Sequence, residues 1–404
     1  MFRNVGACVY INKMTRNRAS LLILGLAAFL VSADARVIDP VLKIIALDFG
    51  VGEEQAAWTI SAYAFPYGLC QWFYGPLGDR IGKLKVMSVA LMAFAIGTAA
   101  CAFVPNLAVF IALRFITGVC AAAIIPLSLS YIGDKIAYEV RQVALARFMM
   151  ALMLGQIFSS SLGGILQDLF GWRTTFLVFG GGAVLAAGAL VYESIKFPEE
   201  AKDKPFSFKP FADLFAMPAG QAIFAAVFIE GCVVFGTMAY LGAAIKTGFP
   251  LMKSTQIGLI MAMYGVGGLV YSSAVRKLVT RLGEGGIAQF GSLLIAAGCI
   301  VMSQLGQWWM AIGGIFFFGL GYFAMHGSLQ TRATELKPEL RATAVSLFAF
   351  MFFVGQAVGP IIFGQIKAAS GYSAAFLVNC VVIVALGTVL NIYFKKTRRQ
   401  PVKA

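Results

Sequence analysis

Twelve long apolar stretches dominate this 404-residue sequence. Each has about the 20 residues that an α-helix needs to cross a hydrocarbon core roughly 30 Å thick. Hydrophobic residues make up 60% of the chain and charged residues 12%, which is far more apolar surface than a soluble domain needs. We therefore predict an all-α polytopic membrane protein with twelve spans, numbered in chain order: residues 19–45, 55–76, 86–104, 107–132, 146–168, 173–194, 217–245, 255–275, 287–306, 308–329, 343–366 and 373–394.

The basic residues divide unevenly between the two sides of the predicted membrane. Most of the 32 Lys and Arg residues lie at the N-terminus, in the even-numbered loops and at the C-terminus, which together we call the terminal side. The opposite side carries Arg173, Lys246, Lys253 and Lys367. Because positively charged loops stay in the cytoplasm, we expect both termini there. The basic residues behind the net charge of +14 lie in short loops that alternate with apolar spans, so we do not expect a nucleic-acid partner.

A short basic turn joins spans 2 and 3, with the sequence Gly75-Pro-Leu-Gly-Asp-Arg-Ile-Gly-Lys-Leu-Lys85. Its glycines let two helix ends approach closely, and the Asp79 carboxylate can accept hydrogen bonds from the N-terminus of a neighbouring helix. The Gly-x-x-x-Asp-Arg-x-Gly-Lys pattern resembles the signature loop of the major facilitator superfamily. The resemblance implies a gating role for Asp79, Arg80 and Gly82.

The two halves of the chain repeat one another at an offset of about 200 residues. Glu139-Val-Arg141 matches Glu339-Leu-Arg341, Gly155-Gln156 matches Gly355-Gln356, and Gly171-Trp172 matches Gly371-Tyr372. A constant spacing of this kind is typical of an internal repeat. The longest polar stretch separates the halves, so we predict six-helix bundles at 1–195 and 217–404 joined by a cytoplasmic linker at 196–216.

Six plus six helices related by an axis along the membrane normal is the arrangement of the major facilitator superfamily. The resemblance therefore covers nearly the whole chain. It implies a small-molecule substrate site between the halves near the membrane midplane, and alternating access by rocking of one half against the other.

Few ionisable side chains lie within the spans, and each is a functional candidate because a charge at the bilayer centre costs about 2.5–3.5 kcal/mol. Asp34 lies roughly 22 Å along span 1 and Arg114 roughly 10 Å below the far end of span 4, at 1.5 Å per residue, so the two can meet. The Arg-x-x-x-Gly pattern at Arg114 resembles that of proton-coupled facilitators, in which an arginine beside an acid is linked to proton transfer. A static ion pair that locks the two helices is the alternative. For Arg36 and Asp39, nearer the end of span 1, we expect a solvated rim or gate pair.

Four further polar side chains are candidates for the substrate cavity. Glu230 is a second proton site, a contact for a cationic substrate, or a hydrogen-bonded carboxyl between helices. His326 can titrate near neutral pH, although a lone histidine on an apolar helix is more often a packing residue. Gln156 and Gln356 occupy matched places in spans 5 and 11, where they line the cavity or pack between helices. Some aromatic residues can line a cavity, although a lipid-facing or interfacial position is the expectation for any one of them. They are Trp58, Tyr63, Tyr67, Trp72, Tyr264 and Tyr322.

Span 5 indicates which branch of the superfamily the chain resembles. Drug-efflux antiporters carry Gly-x-x-x-Gly-Pro-x-x-Gly-Gly in this helix, and the chain has the same frame from Gly155 to Gly164 with Ser159-Ser160 in place of Gly-Pro. Together with Asp34 and Arg114, the frame favours proton-coupled efflux. A proton symporter, an organic-anion exchanger and a transporter-like sensor remain the alternatives, and the sequence does not name the substrate.

The sequence lacks the residue patterns that an enzyme, a metal site or a nucleotide-binding site needs. The seven cysteines are scattered without a Cys-x-x-Cys pair, and no nucleophile–base pair or phosphate-binding glycine loop is present. We therefore expect no enzyme activity, no cofactor and no metal. The predicted protein is a secondary transporter, monomeric, in the bacterial cytoplasmic membrane, with a small molecule, the proton and the lipid bilayer as its partners.

Overall fold

The computed structural model describes residues 21–136, 138–196 and 209–398. Eight of its helices are long and apolar enough to cross a membrane, and two of these are long enough to hold two spans each. In chain order the helices are Leu21–Asp34, Leu42–Asp48, Glu53–Ala56, Trp58–Ile81, Lys83–Ala100, Leu107–Ala121, Ile124–Lys135, Tyr138–Phe170, Trp172–Lys196, Lys209–Ala216, Pro218–Gly248, Ser254–Met261, Met263–Ser303, Met310–Glu335 and Arg341–Arg398. The all-α arrangement predicted from the sequence is confirmed.

Four glycines turn the chain between adjacent spans. Gly82 and Gly283, which are equivalent in the repeat, have φ angles of 101° and 65°, and each lies between the second and third spans of its half. Gly171 and Gly371 have φ angles of 86° and 83° and lie between the fifth and sixth. Residues other than glycine rarely adopt these positive φ angles, because the Cβ atom collides with the backbone. These four glycines therefore fix where each helix pair turns back.

Span 1 is interrupted, and the prediction of one helix over 19–45 is wrong. Its first helix ends at Asp34, the chain makes turns over residues 35–41, and a second helix covers Leu42–Asp48. Pro40 lies inside the break. Proline has no backbone N–H to donate and disfavours helical geometry at the residue before it, so the helix does not continue through Asp39.

Glycine contacts within each half repeat at the predicted offset. Gly155 of span 5 packs directly on the backbone of Phe29 in span 1. Its equivalent, Gly355 of span 11, packs in the same way on the backbone of Phe228 in span 7. A side chain at either glycine would collide with the facing carbonyl, so both helix crossings require the absence of a Cβ.

A second pair of glycine contacts joins the two halves. Gly164 of span 5 packs on the backbone of Ser254 at the start of span 8, and Gly364 of span 11 packs on Glu54 just before span 2. Both pairs are related by the offset of 200. The two halves therefore meet through pseudo-symmetric pairs of helices.

Several polar contacts between the halves lie on the opposite side. Lys43 donates a hydrogen bond to Thr247 at 2.7 Å, and Lys367 forms an ion pair with Glu53 at 3.0 Å. Small residues of spans 5 and 8 pack along the same side, where Gly258 lies on the backbone of Ser160. The structure is therefore closed on the opposite side.

The predicted linker is partly helical. Residues 197–208 lie outside the described residues, so the boundaries at 1–195, 196–216 and 217–404 stay predictions. The described part forms the helix Lys209–Ala216, and its Phe211 ring lies 5.0 Å from that of Trp72 in span 2. This contact attaches the end of the linker to the first half.

Candidate functional site

Asp34 and Arg114 form an ion pair deep in the first half. The Nη1 atom of Arg114 lies 2.5 Å from Oδ2 of Asp34, and its Nη2 atom donates to the Asp34 backbone carbonyl at 3.2 Å. The side chains are 1% and 0% exposed. The guanidinium also lies over the ring of Tyr63 at 4.3 Å, a cation–π geometry. The two residues meet as the sequence predicts, while Oδ1 of Asp34 has no hydrogen-bond donor among the described residues.

The broken end of span 1 receives donors from three other spans. A helix that ends inside a membrane leaves its last carbonyls without partners, and water is not there to satisfy them. The Tyr63 hydroxyl of span 2 donates to the carbonyl of Val31 at 3.2 Å, and the Ser159 hydroxyl of span 5 donates to that of Ala33. The contact of Arg114 with the Asp34 carbonyl, described above, comes from span 4. These bonds fix the place of the Asp34 side chain.

Ser159 departs from the efflux pattern because of this break. Its equivalent in span 11, Gly359, packs backbone against backbone on Cys232 of span 7, a helix that is continuous there. In the first half the helix has ended, and the Ala33 carbonyl accepts a bond from the Ser159 hydroxyl in addition to the one from the backbone N–H of Arg36. That Ser159 has a functional role stays a prediction.

Arg36 and Asp39 lie within the break and are buried, so the expectation of a solvated rim is wrong. Their residues are 6% and 0% exposed. The Nη1 atom of Arg36 lies 3.6 Å from Oδ2 of Asp39, and the guanidinium lies 3.9 Å above the ring of Phe235 in span 7. Arg36 therefore bridges the two halves. Neither carboxylate oxygen of Asp39 has a hydrogen-bond donor among the described residues.

Glu230 and His326 form a second buried pair in the other half. Nδ1 of His326 lies 2.9 Å from Oε2 of Glu230, and the side chain of Glu230 is fully buried while that of His326 is 19% exposed. The imidazole packs against the rings of Tyr322 and Phe352, at centroid distances of 5.1 and 4.6 Å. Oε1 of Glu230 has no donor within the described part of the chain. Glu230 therefore has a hydrogen-bonding partner on another helix, and the roles predicted for it stay predictions.

The two matched glutamines differ in their surroundings. Gln156 is half-buried on span 5, whereas Gln356 is buried on span 11, where its backbone packs on Gly231. A lining role for the pair stays a prediction.

Buried tyrosines surround the charged pairs, and for them the lipid-facing expectation is wrong. Tyr264 stacks on Tyr322 with ring centroids 5.6 Å apart, and Tyr63 stacks on Tyr67 at 6.0 Å. All four are buried. A tyrosine supplies apolar area together with a hydroxyl, which suits a cavity that takes organic molecules.

The turn at Gly82 carries an ion-pair chain that the sequence did not indicate. Lys83 lies 3.4 Å from Asp79 and 2.5 Å from Asp134 at the end of span 4. Asp79 thus contacts its own half here, and its predicted gating role, like that of Arg80, stays a prediction. In the second half the polarity is reversed, because Glu284 after Gly283 pairs with Arg332 of span 10 at 2.5 Å.

The structure offers no metal centre in its described residues, where no three His, Cys, Asp or Glu side chains are grouped to hold an ion. The site consists instead of buried ion pairs and aromatic rings.

Comparison with known proteins identifies the family. The model of the Major Facilitator Superfamily matches residues 24–360 and 255–404. The chain therefore belongs to this superfamily, whose members are transporters and not enzymes. It is an integral membrane protein that handles small molecules.

Individual relatives agree with this assignment. The chain is 27% identical over 382 residues to the uncharacterized MFS-type transporter YceJ of Bacillus subtilis (strain 168), covering 92% of this chain and 95% of YceJ. It is 27% identical over 365 residues to the multi-drug resistance efflux pump PmrA of Streptococcus pneumoniae serotype 4, covering 86% and 89%.

A solved structure shows the same fold. The crystal structure of a bacterial homolog of the human lysosomal transporter Spinster, inward-facing and unoccupied, superposes with a TM-score of 0.77. The match covers 95% of this chain and 98% of that one, at 19% sequence identity.

Proposed function

We propose that the protein is a proton-coupled efflux antiporter of the bacterial cytoplasmic membrane, with both termini in the cytoplasm. The observation that carries the proposal is the buried ion pair of Asp34 and Arg114 at the break in span 1. A relative named as a multidrug efflux pump, similar over most of its length, supports the direction of transport.

The Asp34 carboxylate has the surroundings of a proton carrier. Arg114 stabilises its charged form, whereas full burial favours the neutral form, so small changes in access to water shift the balance. The unpartnered Oδ1 atom offers a place for the proton. Substrate binding in the same region, between the pairs of the two halves, favours proton release, because both ligands act on one group.

The proposed substrate cavity lies between the two halves. Asp34, Arg114 and Gln156 line it from the first half, and Glu230, His326 and Gln356 line it from the second. The buried tyrosines provide apolar contacts with the polar tips that an organic substrate needs. Glu230 is the second candidate for proton coupling.

Substitution of Asp34 by Asn in proteoliposomes tests the proposal. A gradient of one pH unit, about 1.4 kcal/mol, supports roughly tenfold accumulation of substrate for each proton exchanged. We expect Asp34→Asn to abolish proton-driven accumulation of substrate, while substrate binding and downhill exchange persist. The panel of substrates includes lipophilic cations, sugars, siderophores and carboxylates.

Asp48→Asn is the matched control, since Asp48 lies on the second helix of the same span, 40% exposed, and pairs with Arg173 at the surface. We expect this variant to keep the full gradient-driven accumulation. If Asp34→Asn still concentrates substrate, Asp34 is not the carrier, and Glu230 becomes the leading candidate.

A further inference from the structure

Asp39 is a buried acidic residue whose carboxylate lacks a hydrogen-bond donor among the described residues. It is 0% exposed, and the lack of a donor there applies to both of its carboxylate oxygens. Asp34, five residues earlier, has Arg114 at 2.5 Å from one carboxylate oxygen, whereas the contact of Asp39 with Arg36 is longer, at 3.6 Å. A buried carboxylate without donors is costly in its charged form and readily takes a proton.

The charged groups around Asp39 come from few elements. Arg36, on its own turn, and Arg114, on span 4, are the described charges that interact with it. Span 7 contributes Gly242, which packs on the Asp39 carbonyl, and span 5 contributes Gly163, which packs on Pro40. Neither glycine brings a charge. The ionisation of Asp39 therefore depends on two arginines, and Arg36 depends on Asp39.

Arg36 connects this carboxylate to the other half. Its guanidinium carbon lies 3.9 Å from the centre of the Phe235 ring of span 7, and its Nη1 atom has no hydrogen-bond acceptor in the described chain. The ring holds the cation in place only while the charge is balanced, because an uncompensated buried charge costs several kcal/mol. The contact between the halves at this point thus requires Asp39 in its charged form.

We propose that Asp39 is a second proton-binding residue of the transport cycle, and that its protonation releases Arg36 from Phe235 and so permits the opposite side to open. The proton arrives from water and binds a carboxylate oxygen of Asp39. Arg36, left without its counter-ion, moves from the ring towards water. This proposal rests on the proposed proton coupling and adds a lock to it. While Asp39 is unprotonated and no substrate is bound, the opposite side stays closed, so the empty protein cannot change from one open state to the other.

Distance measurements by double electron–electron resonance test the lock. Spin labels at Phe103→Cys and Leu251→Cys, which are 75% and 99% exposed and lie on the opposite side of the two halves, report opening. The native cysteines are replaced, and the protein is studied in nanodiscs without substrate or gradient. We expect the parent to show the short distance at alkaline pH and to gain a longer one at acidic pH.

Three variants separate the lock from general damage. We expect Asp39→Asn, which mimics the protonated form, to show the longer distance at every pH. Phe235→Leu keeps an apolar side chain but removes the ring, and should gain the longer distance at alkaline pH. The control Asp48→Asn should respond to pH as the parent does.

Two results would overturn the proposal: a parent whose distances do not change with pH, or Asp39→Asn with the pH response of the parent. If Asp39→Asn does not yield folded protein, Phe235→Leu decides, and parental distances in that variant contradict the lock. These outcomes are independent of transport. Proton-driven accumulation without pH-dependent opening refutes the lock alone, whereas pH-dependent opening without proton-driven accumulation refutes the antiport alone.

Discussion

Asp168 of the first half binds the start of a helix in the second half, on the opposite side of the membrane from the termini. This residue, at the end of span 5, accepts hydrogen bonds from the backbone N–H groups of Ser254 and Thr255 at 3.0 and 2.7 Å. Those groups belong to the first turn of the helix Ser254–Met261 in the other half. A carboxylate at a helix N-terminus is stabilised by free N–H groups and by the helix dipole. Asp168 therefore holds the two halves together on the opposite side.

The free energy of this contact follows from its geometry. Two hydrogen bonds at about 1 kcal/mol each, reduced because the carboxylate is exposed to solvent, stabilise the closed state by about 1–2 kcal/mol. Asn keeps the size, but its amide can accept only one of the two bonds and presents its own donor to the other. Loss of one bond, about 1 kcal/mol, should shift the equilibrium towards opening by roughly 5-fold in Asp168→Asn.

The same pair of spin labels measures this shift. The population with the longer distance should rise in Asp168→Asn, with the pH response preserved, because no proton-binding group is changed inside the site. Asp48→Asn, an exposed acid on the same side, is the control. An unchanged distance distribution in Asp168→Asn would refute the reasoning.

Two further predictions concern Ser159, at the break in span 1, and Asp79, in the turn between spans 2 and 3. Ser159→Ala removes the hydroxyl bonded to the Ala33 carbonyl, and we expect it to lower proton-driven transport and to shift the pH profile of transport. Ser159→Thr should restore both the rate and the pH profile. Ser161→Ala, which loses only a 3.5 Å contact with Gly258, should resemble the parent. Asp79→Asn should leave expression near normal, reduce transport strongly and favour the inward-open state, as measured by distances between labels on the terminal side; full activity with unchanged distances would exclude a latch there.

The order of the spans could be predicted from the sequence because it depends on local signals. Long apolar runs mark the helices, and glycines at 82, 171, 283 and 371 mark turns that only a residue without a side chain readily adopts. The repeat at an offset of 200 likewise appears in the structure as matched glycine contacts. The meeting of Asp34 with Arg114 followed from their depths.

The break in span 1 could not be predicted in the same way. Apolar residues continue on both sides of Pro40, so hydropathy indicates one helix. The break is stabilised by Tyr63, Arg114 and Ser159, which are remote in sequence and whose side chains donate to backbone carbonyls at the end of the first helix. A signal was present in Ser159, where a hydroxyl stands in a frame that usually holds glycine.

The Glu230–His326 pair shows a second limit. The two residues are 96 positions apart, on helices that are apolar on all sides, so no periodic pattern shows which faces meet. The ion pairs at Lys83 and Glu284 were missed for a similar reason, because their partners lie at the far ends of other spans.

Proton movement driven by substrate tests the central claim most directly. Liposomes containing the protein and a pH-sensitive dye receive an outward or inward gradient of a transported compound, with no pH gradient imposed. We expect proton flux opposite in direction to the substrate in the parent protein, and no substrate-dependent proton flux in Asp34→Asn. Proton flux in the same direction as the substrate, or transport without proton flux, would contradict it.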